Sequence, residues 1–307
     1  MRIISLAIDA SLFLIGIGVG LETRRSAITF ARRHPGLVGR SFLSMNVIMP
    51  MAAIATAVLF ALHPAVKLSR VTLAVSPLPI HFPHKVTKAA GDDDFAVSLL
   101  ITMALGSIVF VPASLWLIGR LVELPLAIAP LRVLRVVATD VLIPVSIGAA
   151  VRMRMPNFAD RAVGTIMRLG MAILVVAIIP LIVRAFPSMI ELMGDGSVLA
   201  IVLFALIGLA IGHALGGPNN GHRAVLAIAT ASRHPAVALA IVRANFPDQR
   251  LAPAAILLDV IVGAAVLMLY FRRRRTSGAQ TRTTRPDSDL RNRVGREKPR
   301  ASSVIQR

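Results

Sequence analysis

The chain has 307 residues, of which 56% are hydrophobic and only 16% are charged, whereas a soluble domain carries about 25% charged residues. The apolar residues form blocks of roughly 20, the length that crosses a bilayer, so a soluble globular fold is excluded. The net charge of +19 does not indicate nucleic-acid binding, because basic residues beside membrane spans are topology signals and no aromatic residues are interleaved with them. The absence of cysteine excludes disulfides and thiolate metal sites.

Nine apolar blocks predict about nine membrane crossings, and each must be helical because lipid offers the backbone no hydrogen-bond partner. In chain order the blocks lie at about residues 3–21, 41–62, 66–90, 94–119, 132–152, 164–185, 197–215, 222–245 and 251–271. The sequence therefore predicts an all-α polytopic membrane protein with a transmembrane domain over residues 1–271. Residues 272–307 hold 12 of the 34 Lys and Arg residues and lack apolar periodicity, which predicts a basic, disordered cytoplasmic tail.

An odd number of crossings places the two termini on opposite sides of the membrane. With the basic tail in the cytoplasm, the N-terminus lies outside and most Lys and Arg residues fall on the inner side, as the positive-inside rule requires. This assignment counts Arg70 among the cations of the external loops. We expect a multi-pass protein of the cell (inner) membrane whose partner is the lipid bilayer, and the sequence leaves its oligomeric state open.

Prolines interrupt two of the nine blocks. Pro77, Pro79 and Pro83 interrupt the block at 66–90, and Pro235 interrupts the block at 222–245. A proline removes one helical hydrogen bond and clashes with the preceding turn. Irregular backbone at membrane depth is tolerated only where it is buried in protein or lines a wet cavity. Broken helices in corresponding halves of a chain indicate the central site of a transporter.

Arg233, beside Pro235, is the strongest candidate for a functional residue. Its guanidinium fits carboxylates and other oxyanions, and a charge inside the membrane indicates function unless it forms a structural ion pair. Asp140 and Asp259 each lie near the middle of an apolar block. We expect either of them to neutralise Arg233 or to change protonation during transport, although a purely structural pair is an equal alternative for each.

Three histidines lie at the interruptions, namely His234 beside Arg233 and the pair His81 and His84. Because histidine titrates near neutral pH, these residues are candidates for proton relays. A metal site at His81 and His84 is not expected, since Pro83 interrupts the helix face that they would share. Metal sites usually have four ligands, and no third ligand is evident nearby in the sequence.

Thr230 and Ser232 flank the second interruption. Their hydroxyl groups are candidates for hydrogen bonds to a substrate, although bonding to freed backbone groups is the favoured interpretation. The sequence shows no nucleophile–base pair and no metal constellation, so we do not predict an enzyme. Intramembrane catalysis by Asp140 and Asp259 would need lipid-dependent product formation as support.

Three stretches resemble the bile acid:sodium symporter family. They are "HPGLVGRSFLSMNVIMPMAA" (His34–Ala53), "KAAGDDDFAVSLLITMALGS" (Lys88–Ser107) and "GPNNGHRAVLAIATASRHPAVALAIV" (Gly217–Val242). The last stretch is the most specific and is similar to a bacterial subgroup with an Arg-His-Pro motif in this region. The resemblance covers nearly all of residues 3–271.

The resemblance implies a fold of ten helices in two inverted five-helix repeats, in which the fourth and ninth helices are broken and cross at the midplane. In this chain the repeats would occupy about 3–119 and 132–271, with the crossover helices at 66–90 and 222–245. The first helix of the family has no counterpart in this sequence, which would explain the odd number of crossings and the external N-terminus.

The resemblance also implies sodium-coupled transport, but the residues at the sodium-ligand positions of this chain argue against sodium. Sodium-coupled members carry oxygen ligands at positions that hold Phe82, Pro83, Val86, Ala229 and Arg233 here, and a guanidinium repels a cation. The expected function is secondary active transport of a small organic anion by alternating access, with sodium coupling doubtful. We expect no cofactor, and the coupling ion is left open between H⁺ and Na⁺. The alternative is a ligand-binding membrane sensor or assembly protein, which an attached soluble signalling domain would favour.

Overall fold

The computed structural model describes residues 2–87, 91–121 and 128–283, and within these ranges the chain is helical without strands. The α-helices are α1 (Arg2–Glu22), α2 (Arg25–Arg33), α3 (Pro35–Phe42), α4 (Met49–Leu59), α5 (Pro64–Val75), α6 (Phe82–Thr87), α7 (Asp93–Leu121), α8 (Pro130–Val137), α9 (Ile143–Arg154), α10 (Pro156–Glu191), α11 (Ser197–Leu215), α12 (Asn220–Ala231), α13 (Pro235–Asn245) and α14 (Ala252–Thr283). Two π-helical segments, π1 (Leu43–Ile48) and π2 (Ala138–Leu142), join α3 to α4 and α8 to α9.

Eight stretches of the described chain are long and apolar enough to cross a membrane. They are Ile3–Glu22, Pro35–Leu59, Asp93–Arg120, Pro130–Arg154, Pro156–Glu191, Ser197–Leu215, Asn220–Asn245 and Ala252–Arg273. Each corresponds to one predicted block. The ninth block, at 66–90, contains α5 with 12 residues and α6 with 6 residues, so neither helix spans a bilayer alone. The all-α polytopic fold is confirmed.

The outward faces of the long helices carry large apolar side chains. Leu59 is 79% exposed, Val109 is 74% exposed and Val176 is 68% exposed. A soluble monomer rarely exposes contiguous apolar surface on this scale. The surface therefore suits lipid, and the chain is a multi-pass membrane protein.

One set of helices, here called the first group, comprises α1, the span from α8 through π2 to α9, and α10. α1 packs along both α9 and α10. Gly20 and Gly148 lie where α1 and α9 approach each other most closely, because a Cβ on Gly148 would lie only 2.8 Å from the Cα of Gly20. Small residues of this kind allow membrane helices to bring their backbones together.

The second group comprises π1, α4 to α7 and α11 to α14. Leu73 of α5 packs with Ala238 and Val242 of α13 and with Ile256 of α14. The opposite side of α5 packs, through Ala74, against Phe204 of α11 and against α4. The second group therefore contains both broken helices in its interior, and each is followed by a long helix, α7 or α14.

The C-terminal helix continues beyond the predicted end of the transmembrane domain at residue 271. Residues up to Leu267 form one compact unit, and a second unit begins at Met268. α14 extends to Thr283, so residues 272–283 are helical where the sequence predicts disorder. Arginine is a good helix former, and cations are favourable near a helix C-terminus. The remainder of the predicted tail, 284–307, lies outside the described residues.

Candidate functional site

The first broken helix is interrupted between α5 and α6. α5 ends at Val75, and Ser76 has an extended backbone. Pro77 and Pro79 lie in the interruption, whereas Pro83 lies in the first turn of α6, where a proline is tolerated because its missing N–H would have no helical partner. The residues from Ser76 to Ile80 are buried, so this irregular backbone is enclosed by protein rather than exposed to lipid.

The second broken helix is interrupted between α12 and α13. α12 ends at Ala231, Ser232 has an extended backbone, and α13 begins at Pro235, the position where proline is most favourable. Ser232, Arg233 and His234 therefore lie outside both helices, and all three are buried. All three residues are therefore enclosed by protein.

The two interruptions contact each other directly. The backbone N–H of His234 donates a hydrogen bond to the carbonyl of Pro77 over 2.9 Å. α5 packs against α13, and α6 packs against α12, so each half of one broken helix contacts a half of the other. This is the crossing that the sequence predicts at the centre of a transporter fold.

Arg233 is held by backbone carbonyl groups. Its Nη2 donates to the carbonyl of Met45 at 2.9 Å, and its Nη1 donates to the carbonyl of Ser232 at 3.3 Å. Only 9% of the residue is exposed. A carbonyl supplies a dipole but no full negative charge, so these two bonds orient the guanidinium without neutralising it.

The carbonyl of Met45 accepts this bond because Pro50 leaves it without a helical donor. In π1 the N–H of Met49 bonds to the carbonyl of Ser44, five residues back. The next donor in that register would be residue 50, which is a proline and has no N–H. π-Helical segments in α-helices are frequent at functional sites, and here π1 presents a free acceptor to the second interruption.

The predicted partners of Arg233 lie elsewhere. Asp259 pairs with Arg70, whose Nη1 is 3.3 Å from Asp259 Oδ2. Asp140 faces His234, with 3.9 Å between Asp140 Oδ2 and His234 Nε2. Within the described ranges, no carboxylate lies within 4.0 Å of the Arg233 guanidinium. The expectation that Asp140 or Asp259 neutralises Arg233 by direct contact is therefore wrong.

Arg70 is a charged residue of the interior and not of an external loop. It lies in α5, its side chain is fully buried, and its guanidinium also lies 4.5 Å from the ring centre of Phe204. The topology count misplaces Arg70 because the predicted start of the crossing falls only four residues before it. A buried charge needs a partner, and Asp259 supplies it. Asp259 therefore belongs to a structural pair that links α5 to α14.

Several polar atoms at the interruptions have no hydrogen-bond partner in the described part of the chain. They are Ser232 Oγ, Arg233 Nε, His234 Nδ1 and His81 Nδ1. Buried polar groups are normally satisfied, and each exception needs an explanation such as a strained site or an unoccupied ligand position. Three of the four come from consecutive residues beside Pro235, so they form one local cluster around an unneutralised guanidinium.

The hydroxyl group of Thr230 forms its hydrogen bonds with other protein groups. Its hydroxyl donates to the carbonyl of Leu226 at 2.7 Å and lies 3.1 Å from the hydroxyl of Ser44 in π1. The favoured interpretation of Thr230, bonding to backbone, agrees with this geometry. Ser44 and Met45 are site residues that the sequence analysis omits, although Pro50 inside an apolar block is the signal that marks their segment.

The side chains described at the first interruption, from Ser76 to His81, include no carboxylate. Among the described residues, no group of three or more His, Cys, Asp or Glu side chains is arranged to hold a metal ion. Phe82, Pro83 and Val86, which hold the positions of family sodium ligands, are buried apolar residues. His81 and His84 are half-buried, and His81 interacts electrostatically with His84 and His234.

The family described as "Sodium Bile acid symporter family" matches residues 10–191, a segment that includes the first interruption, both π-helical segments and Asp140. The matched segment ends before the second interruption. None of the curated proteins matches the chain.

Proposed function

We propose, since the chain belongs to the sodium bile acid symporter family, that it is a secondary transporter that carries a small organic anion by alternating access. The observation that carries this proposal is Arg233, a buried guanidinium at the crossing of two broken helices that has no carboxylate partner among the described residues. A charge at the membrane centre costs at least about 2.5 kcal/mol. A substrate carboxylate or other oxyanion would supply the missing countercharge.

The donors around Arg233 support an anion of this kind. Arg233 Nε and Ser232 Oγ are unpartnered, and both can donate to an oxyanion. The α13 helix begins next to them at Pro235, and the N-terminal end of a helix favours negative charge. These groups bind an anion through one charge-assisted contact and several neutral donors, which favours a single carboxylate, sulfonate or similar head group.

The arrangement of the two helix groups supports alternating access. The residues proposed to bind the substrate lie at the second interruption. Asp140, in π2 of the first group, faces His234 there. A rocking motion of one group against the other would open the crossing to each side of the membrane in turn. The arrangement supports transport rather than permanent binding, because Asp140 and His234 belong to different groups.

We propose that sodium is not the coupling ion of this transporter. A sodium ion needs several oxygen ligands at short distance, and hard cations prefer oxygen. The corresponding positions at the first interruption carry apolar side chains, and Arg233 places a positive charge at the second. Imposing a sodium gradient across proteoliposomes should leave anion uptake unchanged, whereas sodium-driven accumulation would contradict this part of the proposal.

We also propose that the protein lies in the inner membrane with its C-terminus in the cytoplasm. The arginines from Arg272 to Arg275 follow the last span, and clustered Lys and Arg residues next to a span favour the cytoplasmic side. Because Arg70 lies in the interior, the external loops hold one Lys or Arg residue fewer than predicted. The excess of these residues on the cytoplasmic side is therefore larger, which supports this orientation. A C-terminal green fluorescent protein fusion should fluoresce, while a C-terminal alkaline phosphatase fusion should be inactive.

An exchange assay tests the transport function. Purified protein in liposomes, loaded with unlabelled anion, should take up [3H]taurocholate or [14C]pyruvate faster than protein-free liposomes. Arg233→Ala should abolish this exchange, because the substrate loses the guanidinium that supplies its countercharge. Arg168→Ala is the matched control, since Arg168 is exposed and bonds only to the carbonyl of Gly164 in its own helix. Binding of either anion without exchange would support the sensor alternative and contradict transport.

A further inference from the structure

The pair His234 and Asp140 joins the two helix groups at the candidate substrate site. We propose, building on the transport function above, that this pair binds one proton together with each anion, so that the protein is a proton–anion symporter. His234 lies next to Arg233 in the second interruption, and Asp140 lies in π2 of the first group. Among the described residues, this is the one contact between a histidine and a carboxylate within 4.0 Å that joins the second interruption to the first group.

The geometry of the pair suits a proton that is bound and released. Asp140 Oδ2 lies 3.9 Å from His234 Nε2, which is longer than a hydrogen bond but within reach of a small approach by either group. The Asp140 side chain is 22% exposed, whereas that of His234 is 4% exposed. Asp140 is therefore the more accessible member of the pair, through which a proton would enter or leave.

Neither member of the pair is fully committed to other partners. His234 Nδ1 has no partner among the described residues. Asp140 accepts one hydrogen bond, from the hydroxyl of the neighbouring Thr139 at 2.9 Å, which leaves its other oxygen facing His234. A proton placed between Asp140 and His234 would convert this contact into a charge-assisted hydrogen bond.

Charge balance couples this proton to the anion. In the empty site Arg233 carries a positive charge and Asp140 a negative charge, so the formal charges of the two groups sum to zero although the groups do not contact each other. An anion bound to Arg233 leaves one excess negative charge at membrane depth, where charges are costly. One proton on the His234–Asp140 pair removes that excess, so each ligand strengthens the binding of the other.

Other ionisable groups surround the pair. Asp9 of α1 interacts electrostatically with Asp140, and His81 interacts with His234 and with Lys85 and His84. The helices packed against α13 and π2 carry further charges. These are Glu22 on α1, Lys67 and Arg70 on α5, Asp93, Asp94 and Arg120 on α7, Arg132 and Arg135 on α8, and Arg152 and Arg154 on α9, with Arg243 on α13 itself. Arg70 is compensated by Asp259, and Arg132, Arg135 and Arg243 are exposed. Asp140 is the carboxylate that faces His234.

The experiment compares two modes of transport in the same proteoliposomes, with [3H]taurocholate and [14C]pyruvate as probes and uptake into protein-free liposomes subtracted. Without a gradient, exchange reports anion transport alone. With an acidic exterior and the membrane potential held at zero by valinomycin and potassium, wild-type protein should accumulate anion about tenfold per pH unit, the ratio set by one proton per anion. Imposing a membrane potential without a pH gradient should drive no accumulation, because the transported proton and anion together carry no net charge.

Asp140→Asn removes the titrating carboxylate and keeps its size. In this variant pH-driven accumulation should be lost and exchange without a gradient should no longer depend on pH, because the amide neither binds nor releases a proton. His234→Gln is a second variant with the same expected loss, and it keeps the test decisive if Asp140→Asn does not fold. Asp160→Asn is the matched control, since Asp160 pairs with Arg152 in an exposed position and should retain accumulation.

The outcomes separate the two proposals. If wild-type protein exchanges neither anion, the transport function is wrong and the symport inference falls with it. If it exchanges anion but no pH gradient drives accumulation, or if Asp140→Asn accumulates anion as wild type does, the symport inference is wrong and the transport function stands.

Discussion

The backbone N–H of His234 donates to the carbonyl of Pro77 across 2.9 Å. Each interruption of a helix leaves donors and acceptors without helical partners, and such groups are expensive at membrane depth. The bond uses a donor from one interruption and an acceptor from the other, so the two broken helices satisfy part of each other's backbone. The polar atoms that remain unpartnered beside this bond belong to the side chains of the candidate site.

The buried pair of Arg70 and Asp259 should be required for stability rather than for transport. Arg70→Met leaves the Asp259 carboxylate buried without a partner, which should lower the free energy of unfolding by about 3–5 kcal/mol. The double variant Arg70→Met/Asp259→Leu should recover most of this loss, because no charge is left uncompensated. Unfolding by sodium dodecyl sulfate, followed by circular dichroism, measures both values.

The exposed pair of Arg152 and Asp160 is the control for that experiment. Arg152→Met should cost only about 0–1 kcal/mol, since water screens the pair. A double variant of Arg70 and Asp259 that is less stable than either single variant would contradict a purely structural role.

Pro50→Ala should stabilise the helix and impair the site. Alanine restores an N–H that can bond to the carbonyl of Met45 or Asn46, and a proline inside a helix costs about 3 kcal/mol. The new N–H of residue 50 would then compete with Arg233 for the carbonyl of Met45. We expect a higher unfolding temperature together with slower anion exchange.

Pro180→Ala provides the comparison for Pro50→Ala. Pro180 also lies inside a helix, α10, but its side chain is exposed on the outward surface. This variant should raise the unfolding temperature and leave exchange unchanged. Normal exchange by Pro50→Ala would show that Arg233 needs no acceptor from π1.

Gly148→Ala should separate α1 from α9. The added Cβ would contact the carbonyl of Ile17 and lie 2.8 Å from Gly20 Cα, and these backbone atoms cannot rotate away. Overpacking of this kind costs about 1–3 kcal/mol, which should appear as a lower unfolding temperature in detergent. Gly106→Ala in α7 has nothing within 4 Å of the new Cβ and should be neutral or stabilising by up to about 1 kcal/mol. Equal unfolding temperatures for the two variants would argue against close packing at Gly148.

The positions of the helices and their interruptions could be predicted from the sequence because both depend on local chemistry. Length and apolarity define the spans, and Pro77, Pro79 and Pro235 define where two of them break. The crossing itself was predicted only through the resemblance to a family, since no local pattern shows that the carbonyl of Pro77 meets the N–H of His234.

The partners of the charged residues could not be predicted in this way. Asp140 and Asp259 are equally plausible partners for Arg233 when only their depth in the membrane is known. Their actual neighbours, His234 and Arg70, depend on which helices pack together. Met45 illustrates the same limit, because Pro50 marks its carbonyl as free while only the packing of π1 shows that Arg233 uses it.

The absence of native cysteine makes the central test direct. Ser232→Cys introduces a single thiol beside Arg233, at a position that is only 4% exposed. A membrane-impermeant thiol reagent should label this variant in both right-side-out and inside-out vesicles, and taurocholate or pyruvate should slow the labelling. Ser107→Cys, at a buried position in α7 whose hydroxyl bonds to its own helix, should show no effect of the anions. Labelling of Ser232→Cys from one side only, or labelling that neither anion slows, would contradict a substrate site with alternating access at the crossing.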